Sequence, residues 1–100
     1  MAKEVILTPL AKSNIDSIVN YLINNWSAKV AKHFLFRLEK VFVLLSEAPE
    51  IYTIVNKNKG IRRSIVTKHN TLYFIETSKN IKVLSIFDSR QNPDKLKKII

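Results

Sequence analysis

The chain has 100 residues, 46% of them hydrophobic, and a formal net charge of +9 at pH 7. That length allows a single domain, residues 1–100, and the absence of cysteine excludes a disulfide framework and a thiolate metal site while fitting a reducing cytoplasm. The apolar runs are far too short to span a membrane, and the first residues lack the apolar stretch and cleavage signal of a secretory peptide.

Lys3 to Leu7 is a short β-prone run that stops at Thr8-Pro9. Thr caps helices and Pro suits the first helical position. From there Ala11, Ile15, Ile18, Val19, Leu22 and Trp26 recur at helical spacing, so they form one face of an α-helix. Lys12, Asn14, Asp16, Asn20 and Asn24 occupy the other. Ser27 is a second N-cap candidate. Ala31, Phe34, Leu35, Leu38, Val41, Phe42 and Leu45 then give a longer apolar stripe that Pro49 stops. His33 falls on its polar side. A connection of about two residues makes the two helices antiparallel neighbours.

Glu47 to Lys59 has no clear periodicity, though Ile51, Tyr52, Ile54 and Val55 are expected to pin it across the core. Asn56 to Gly60 reads as an exposed basic turn. Three β-rich runs follow between Gly60 and Ser89, separated by polar turns, which is the pattern of an antiparallel meander. The first turn is expected at His69-Asn70, with both residues at positive φ, and the second near Lys79-Asn80. Asn92-Pro93 is expected to start a terminal helical turn. The order β-α-α-β-β-β predicts an α+β fold, an antiparallel sheet of about four strands with a helical hairpin on one face. The first strand has no hairpin partner, so it must join a strand of the meander.

The net charge points to an acidic partner. No phosphate-binding glycine loop, paired-histidine metal motif or nucleophile elbow is present, so no metal or cofactor is expected. The cations are the candidate functional residues. Lys57, Lys59, Arg62, Arg63, Lys68 and Arg90 are expected to gather at one side of the sheet, where guanidinium groups bind phosphate and stabilise developing charge. His69 is a candidate for acid–base work near neutral pH. Alternation puts Arg62, Ser64 and Val66 on one strand face and Ile61, Arg63 and Ile65 on the other. The second set reads as helix-facing, which places Arg63 at the core boundary, where it is expected to snorkel or to pair with a carboxylate such as Asp88.

These segments together resemble the RelE/ParE superfamily of bacterial type II toxins, known also from plasmid stabilisation systems. The resemblance covers nearly the whole chain. It rests on the element order, on Gly60-Ile61-Arg62-Arg63, on Lys68-His69-Asn70-Thr71-Leu72-Tyr73-Phe74, and on Ile86-Phe87-Asp88-Ser89-Arg90-Gln91-Asn92-Pro93. It implies a cytoplasmic growth inhibitor neutralised by a co-encoded antitoxin, with Trp26 at the interhelical turn as an anchor for that partner. ParE-like members act on DNA gyrase, and RelE-like members cut messenger RNA on the ribosome. The RelE-like pattern would use Arg62 and Arg90, with His69 as a proton carrier. Its second position holds Thr71 or Asn70 here, and no Tyr or His lies beyond His69. Two of the four roles are unmatched, so the sequence leans to the ParE-like side. A basic nucleic-acid-binding domain outside the toxin class is a further alternative, which exposed base-stacking aromatics would favour.

Overall fold

The computed structural model describes residues 2–90. Strand β1 (Glu4–Leu7) leads into helix α1 (Pro9–Asn25), which turns back into helix α2 (Ala28–Glu47). A 3₁₀ turn at Pro49–Ile51 precedes strands β2 (Ile54–Asn56), β3 (Ile61–Thr67), β4 (Asn70–Glu76) and β5 (Asn80–Asp88). The predicted terminal turn at Asn92-Pro93 lies outside the described residues.

Both helices begin where the capping residues placed them. Thr8 Oγ1 accepts the Ala11 N–H at 3.0 Å, and Ser27 Oγ accepts the Val30 N–H at 3.2 Å. Each satisfies a donor that the first helical turn leaves without an intrahelical partner. Pro49 stops α2 as expected, because a proline inside a helix removes a hydrogen bond and clashes with the preceding turn.

The sheet has five strands in the order β1-β5-β4-β3-β2. It is mixed, since β1 pairs parallel to β5 while the other pairs are antiparallel. The extra strand, β2, comes from the segment without periodicity. It is only three residues long, and its pairing with β3 is interrupted by a register shift. That segment pins the core less than expected. Tyr52 packs edge-on against Phe74, but Ile51 and Ile54 are exposed.

Helix α1 lies mainly on β5 and α2 mainly on β3. Phe34, Leu38 and Leu45 of α2 and Ile18 and Leu22 of α1 form the core with Val66, Leu72, Phe74, Ile81 and Val83. Burial of these side chains, at about 1.5–3 kcal/mol each, is the main favourable term holding the hairpin on the sheet. The start of α1 also finishes an open edge. β1 ends at Leu7, opposite Val83. Beyond it the Thr8 N–H donates to Val83 O at 3.1 Å, the Thr8 hydroxyl donates to Leu84 O at 2.8 Å, and the Ile86 N–H donates to Asn14 Oδ1 at 3.0 Å. Asn14 therefore faces the sheet, although its place in the α1 sequence read as the polar side.

Two expectations about β3 are corrected. Arg63 and Ile65 are exposed, whereas Ser64 and Val66 are buried. The facing is reversed from Arg63 onward, while Ile61, expected to face inward, is buried. Leu72 and Phe74 of β4, both fully buried, pair with Ser64 and Arg62. Their face must meet the helices, and it carries their β3 partners with it. The β3–β4 turn is Lys68-His69, and no non-glycine residue has positive φ among the described residues. A register shift between Ile65 and Thr67 and hydrogen bonds from the Thr67 side chain replace the left-handed turn. Asn70 is the first residue of β4 and is buried.

The double role of the Thr8 hydroxyl gives a test. Thr8→Ala should lower the unfolding free energy by about 2 kcal/mol, and Ser27→Ala, which removes a cap alone, by about 1 kcal/mol. Urea denaturation of the two variants measures the difference.

Candidate functional site

Strand β3 separates the candidate cations into two groups. Lys57 and Lys59 sit in the exposed turn before it, and Lys68 and His69 form the turn after it. Seven residues of extended chain put roughly 20 Å between those turns. The six cations therefore do not gather at one side of the sheet.

Arg62 and Arg63 belong to neither cluster. The Arg62 Nη1 group donates to Tyr52 O at 2.6 Å and to Glu50 O at 3.3 Å, which ties β3 to the segment after α2. Arg63 lies on the outer face opposite Tyr73. Burial pushes the Tyr73 hydroxyl pKa up, and the Arg63 charge offsets part of that rise. The partner of Asp88 is therefore Arg90 and not Arg63.

Asp88 ends β5 with a fully buried side chain. The Arg90 guanidinium grips it at two points, Nε to Oδ1 at 3.1 Å and Nη2 to Oδ2 at 2.9 Å, and the Arg90 backbone N–H adds a bond to Oδ1 at 2.8 Å. Asn70 stands directly across the ladder from Asp88 and donates from Nδ2 to Oδ2 at 3.0 Å. The Thr67 hydroxyl donates to Asn70 Oδ1 at 2.6 Å and accepts the His69 N–H at 3.2 Å. This chain of bonds ties the end of β5 to the Lys68-His69 turn. Burial alone would raise the Asp88 pKa. The Arg90 side-chain and backbone hydrogen bonds, the Asn70 bond and the Arg90 charge outweigh it and hold the carboxyl below its ordinary value of 3.8.

The outer side of the Arg90 guanidinium faces aromatic rings, 5.8 Å from the Tyr21 centroid and 6.0 Å from that of Trp26. Such contacts contribute about 0.5–1 kcal/mol at exposed sites. Trp26 is itself 60% exposed. Beside it a cleft of about 330 Å³ opens between the helical hairpin and the β3–β4 turn. Leu22, Val30 and Phe34 provide its apolar wall, and His33, Arg37, Lys68, His69 and Arg90 its polar side. The structure thus joins Lys68, His69, Arg90 and Trp26 at one end of the molecule and leaves out Lys57, Lys59, Arg62 and Arg63. Sequence reasoning missed Arg37 and the neighbourhood of His33. Their separation of four residues on α2 puts them on one helix face, but only the packing of α2 on β3 brings that face to the turn.

Among the described residues no group of three or more His, Cys, Asp or Glu is placed to hold a metal, and no helix is long and apolar enough to cross a membrane.

A family model described as the ParE toxin of the type II toxin-antitoxin system parDE matches residues 5–93. The chain belongs to the ParE toxin family. It is a toxin of a type II toxin-antitoxin system, and a family of that kind implies a cognate antitoxin as partner. Among solved structures, one titled as the chromosomal ParDE toxin-antitoxin system from P. aeruginosa is similar, with a TM-score of 0.75 at 15% sequence identity. The match covers 87% of this chain and 96% of that one. At that identity the likeness shows the shared ParE-type fold. No curated protein matches the sequence.

The ion pair makes a pH-dependent prediction for this toxin. The Asp88 pKa is lowered in the folded state, so the pair's stabilisation is fully present above the unfolded carboxyl pKa of about 3.9 and is lost as pH falls through the folded value. Asp88→Asn should cost about 1.5–3 kcal/mol at pH 7. The gap from wild type should close progressively below about pH 4. Urea unfolding at pH 7, 5 and 3 measures it.

Proposed function

We propose that this ParE-family toxin arrests bacterial growth by binding DNA gyrase in the cytoplasm, and that it does not cut RNA. The observation that carries the reading is the state of Arg90. Its guanidinium is engaged at two points by a buried carboxylate. A guanidinium held in that way is poorly placed to meet charge developing on a phosphate. Arg62, the other arginine of the RelE-like pattern, is occupied by backbone carbonyls. Thr71 supplies no charge where that pattern has an arginine. What stays exposed suits binding: Trp26 beside the cleft and a surface of net positive charge.

The same surface supports an acidic antitoxin segment as the neutralising partner. Opposite charge raises the association rate of such a segment, and added salt slows it. Ile23 and Trp26 are exposed at the end of the hairpin and give it apolar anchors.

One observation favours the RelE-like alternative. His69 and Arg90 line the same cleft, as a proton carrier and a phosphate-binding group would. Two assays with purified toxin separate the readings. In the gyrase reading, supercoiling activity falls as toxin is added, and translating ribosomes yield no new messenger RNA ends. Ribosome-dependent cleavage that drops about 10²–10³-fold in Arg90→Ala, with supercoiling untouched, would establish the nuclease instead.

A further inference from the structure

The cleft between the helical hairpin and the β3–β4 turn has a chemistry that the toxin reading does not use. We infer that it binds a nucleoside monophosphate group, with the phosphate on Arg37 and Lys68 and the base against Val30 and the flanking imidazoles of His33 and His69.

Charge selects the phosphate. Among the described residues no Asp or Glu lines the cleft. The Arg90 charge is neutralised by Asp88, so among the described residues Arg37 and Lys68 are left as its two uncompensated cations. A phosphate monoester carries about −1.5 to −2 near neutral pH and matches that pair. A phosphodiester inside a polynucleotide carries only one negative charge. The balance therefore favours a terminal phosphate over a backbone one.

Geometry prepares one of the two cations. Arg37 Nε donates to Val66 O at 3.2 Å, which fixes the guanidinium at the cleft. Its Nη groups have no hydrogen-bond partner among the described residues. An anchored guanidinium with a free edge presents a preorganised fork to phosphate oxygens. The side chains of Lys68, His33 and His69 are likewise without a hydrogen-bond partner among the described residues.

The wall selects what the phosphate is attached to. Leu22 and Phe34 line the floor of a space of about 330 Å³ but are themselves 1% and 2% exposed, so half-buried Val30 is the apolar side chain open to a ligand; the volume is at the small end of the range for small-molecule sites of about 300–1,000 Å³. Flanking imidazoles add flat surfaces on which a base stacks. Inorganic phosphate would leave this wall empty, and a nucleoside without phosphate would leave the cations unpaired.

Amide chemical shifts of the ¹⁵N-labelled toxin, titrated with AMP, adenosine and inorganic phosphate, test the inference. AMP should move the amides of Arg37, Lys68, His69 and Arg90, and adenosine and phosphate should each bind at least about tenfold more weakly. Arg37→Gln and Lys68→Gln should each weaken AMP about tenfold. Lys79→Gln, in the turn at the opposite end of the sheet, should leave it unchanged. A short oligonucleotide with and without a 5′-phosphate separates the sources of the group. Tighter binding of the phosphorylated form supports a nucleic-acid end as the ligand, and binding of AMP alone supports the free nucleotide. An unphosphorylated oligonucleotide that binds as tightly as AMP overturns the inference in favour of backbone recognition. Equal losses in Lys79→Gln and Arg37→Gln overturn it as general charge attraction.

Discussion

The Asp88 carboxylate organises the end of the molecule that carries the candidate site. It is buried at the last residue of β5, and an unpaired carboxylate there would be strongly unfavourable. Four hydrogen bonds answer it, three from Arg90 and one from Asn70. Through Asn70 and Thr67 the same carboxylate reaches the Lys68-His69 turn. It therefore fixes the position of Arg90 just after β5, which way its guanidinium points, and how the turn borders the cleft.

That arrangement divides the cations by task. Arg62 and Arg90 are the arginines a phosphate-cutting site would use, and both are tied to acceptors inside the fold. Lys57, Lys59 and Arg63 are exposed, and they lie away from the cleft. The net charge of +9 thus acts largely through a dispersed surface, while among the described residues Arg37 and Lys68 share a cleft whose lining holds no carboxylate, and Arg37 also borders a second such cleft with Lys40. Dispersed charge suits steering of an acidic partner, while a preorganised pair suits a small anion. One toxin surface has room for both.

The parts of the fold legible in the sequence are those set by neighbours along the chain. Thr8 and Ser27 cap helices because a hydroxyl reaches an N–H three residues on, and Pro49 ends α2 by its own geometry. The parts that were illegible depend on distant residues. The face of β3 was misread because Leu72 and Phe74, through cross-strand register, outweigh Ile65. Asn70 read as a turn residue by type, yet its amide is needed by Asp88, eighteen positions later. The RelE/ParE resemblance itself was readable, because motif order along the chain survives where side-chain facing does not. In the site, Arg90 and His69 were found by position, but Arg37 was not, since only tertiary packing brings α2 to the turn. Trp26 was singled out as an exposed anchor, and its place over Arg90 could not be read from spacing.

Gyrase binding without RNA cleavage depends on Arg90 being committed to Asp88. The most direct measurement is a ¹³C NMR titration of the Asp88 side-chain carboxyl in the folded protein. The midpoint should lie below 3.8, with the Arg90 Nε resonance shifting over the same pH range as the pair breaks. A midpoint at or above 3.8, with the Arg90 resonance unmoved, would contradict it: burial would then dominate, and Arg90 would be free.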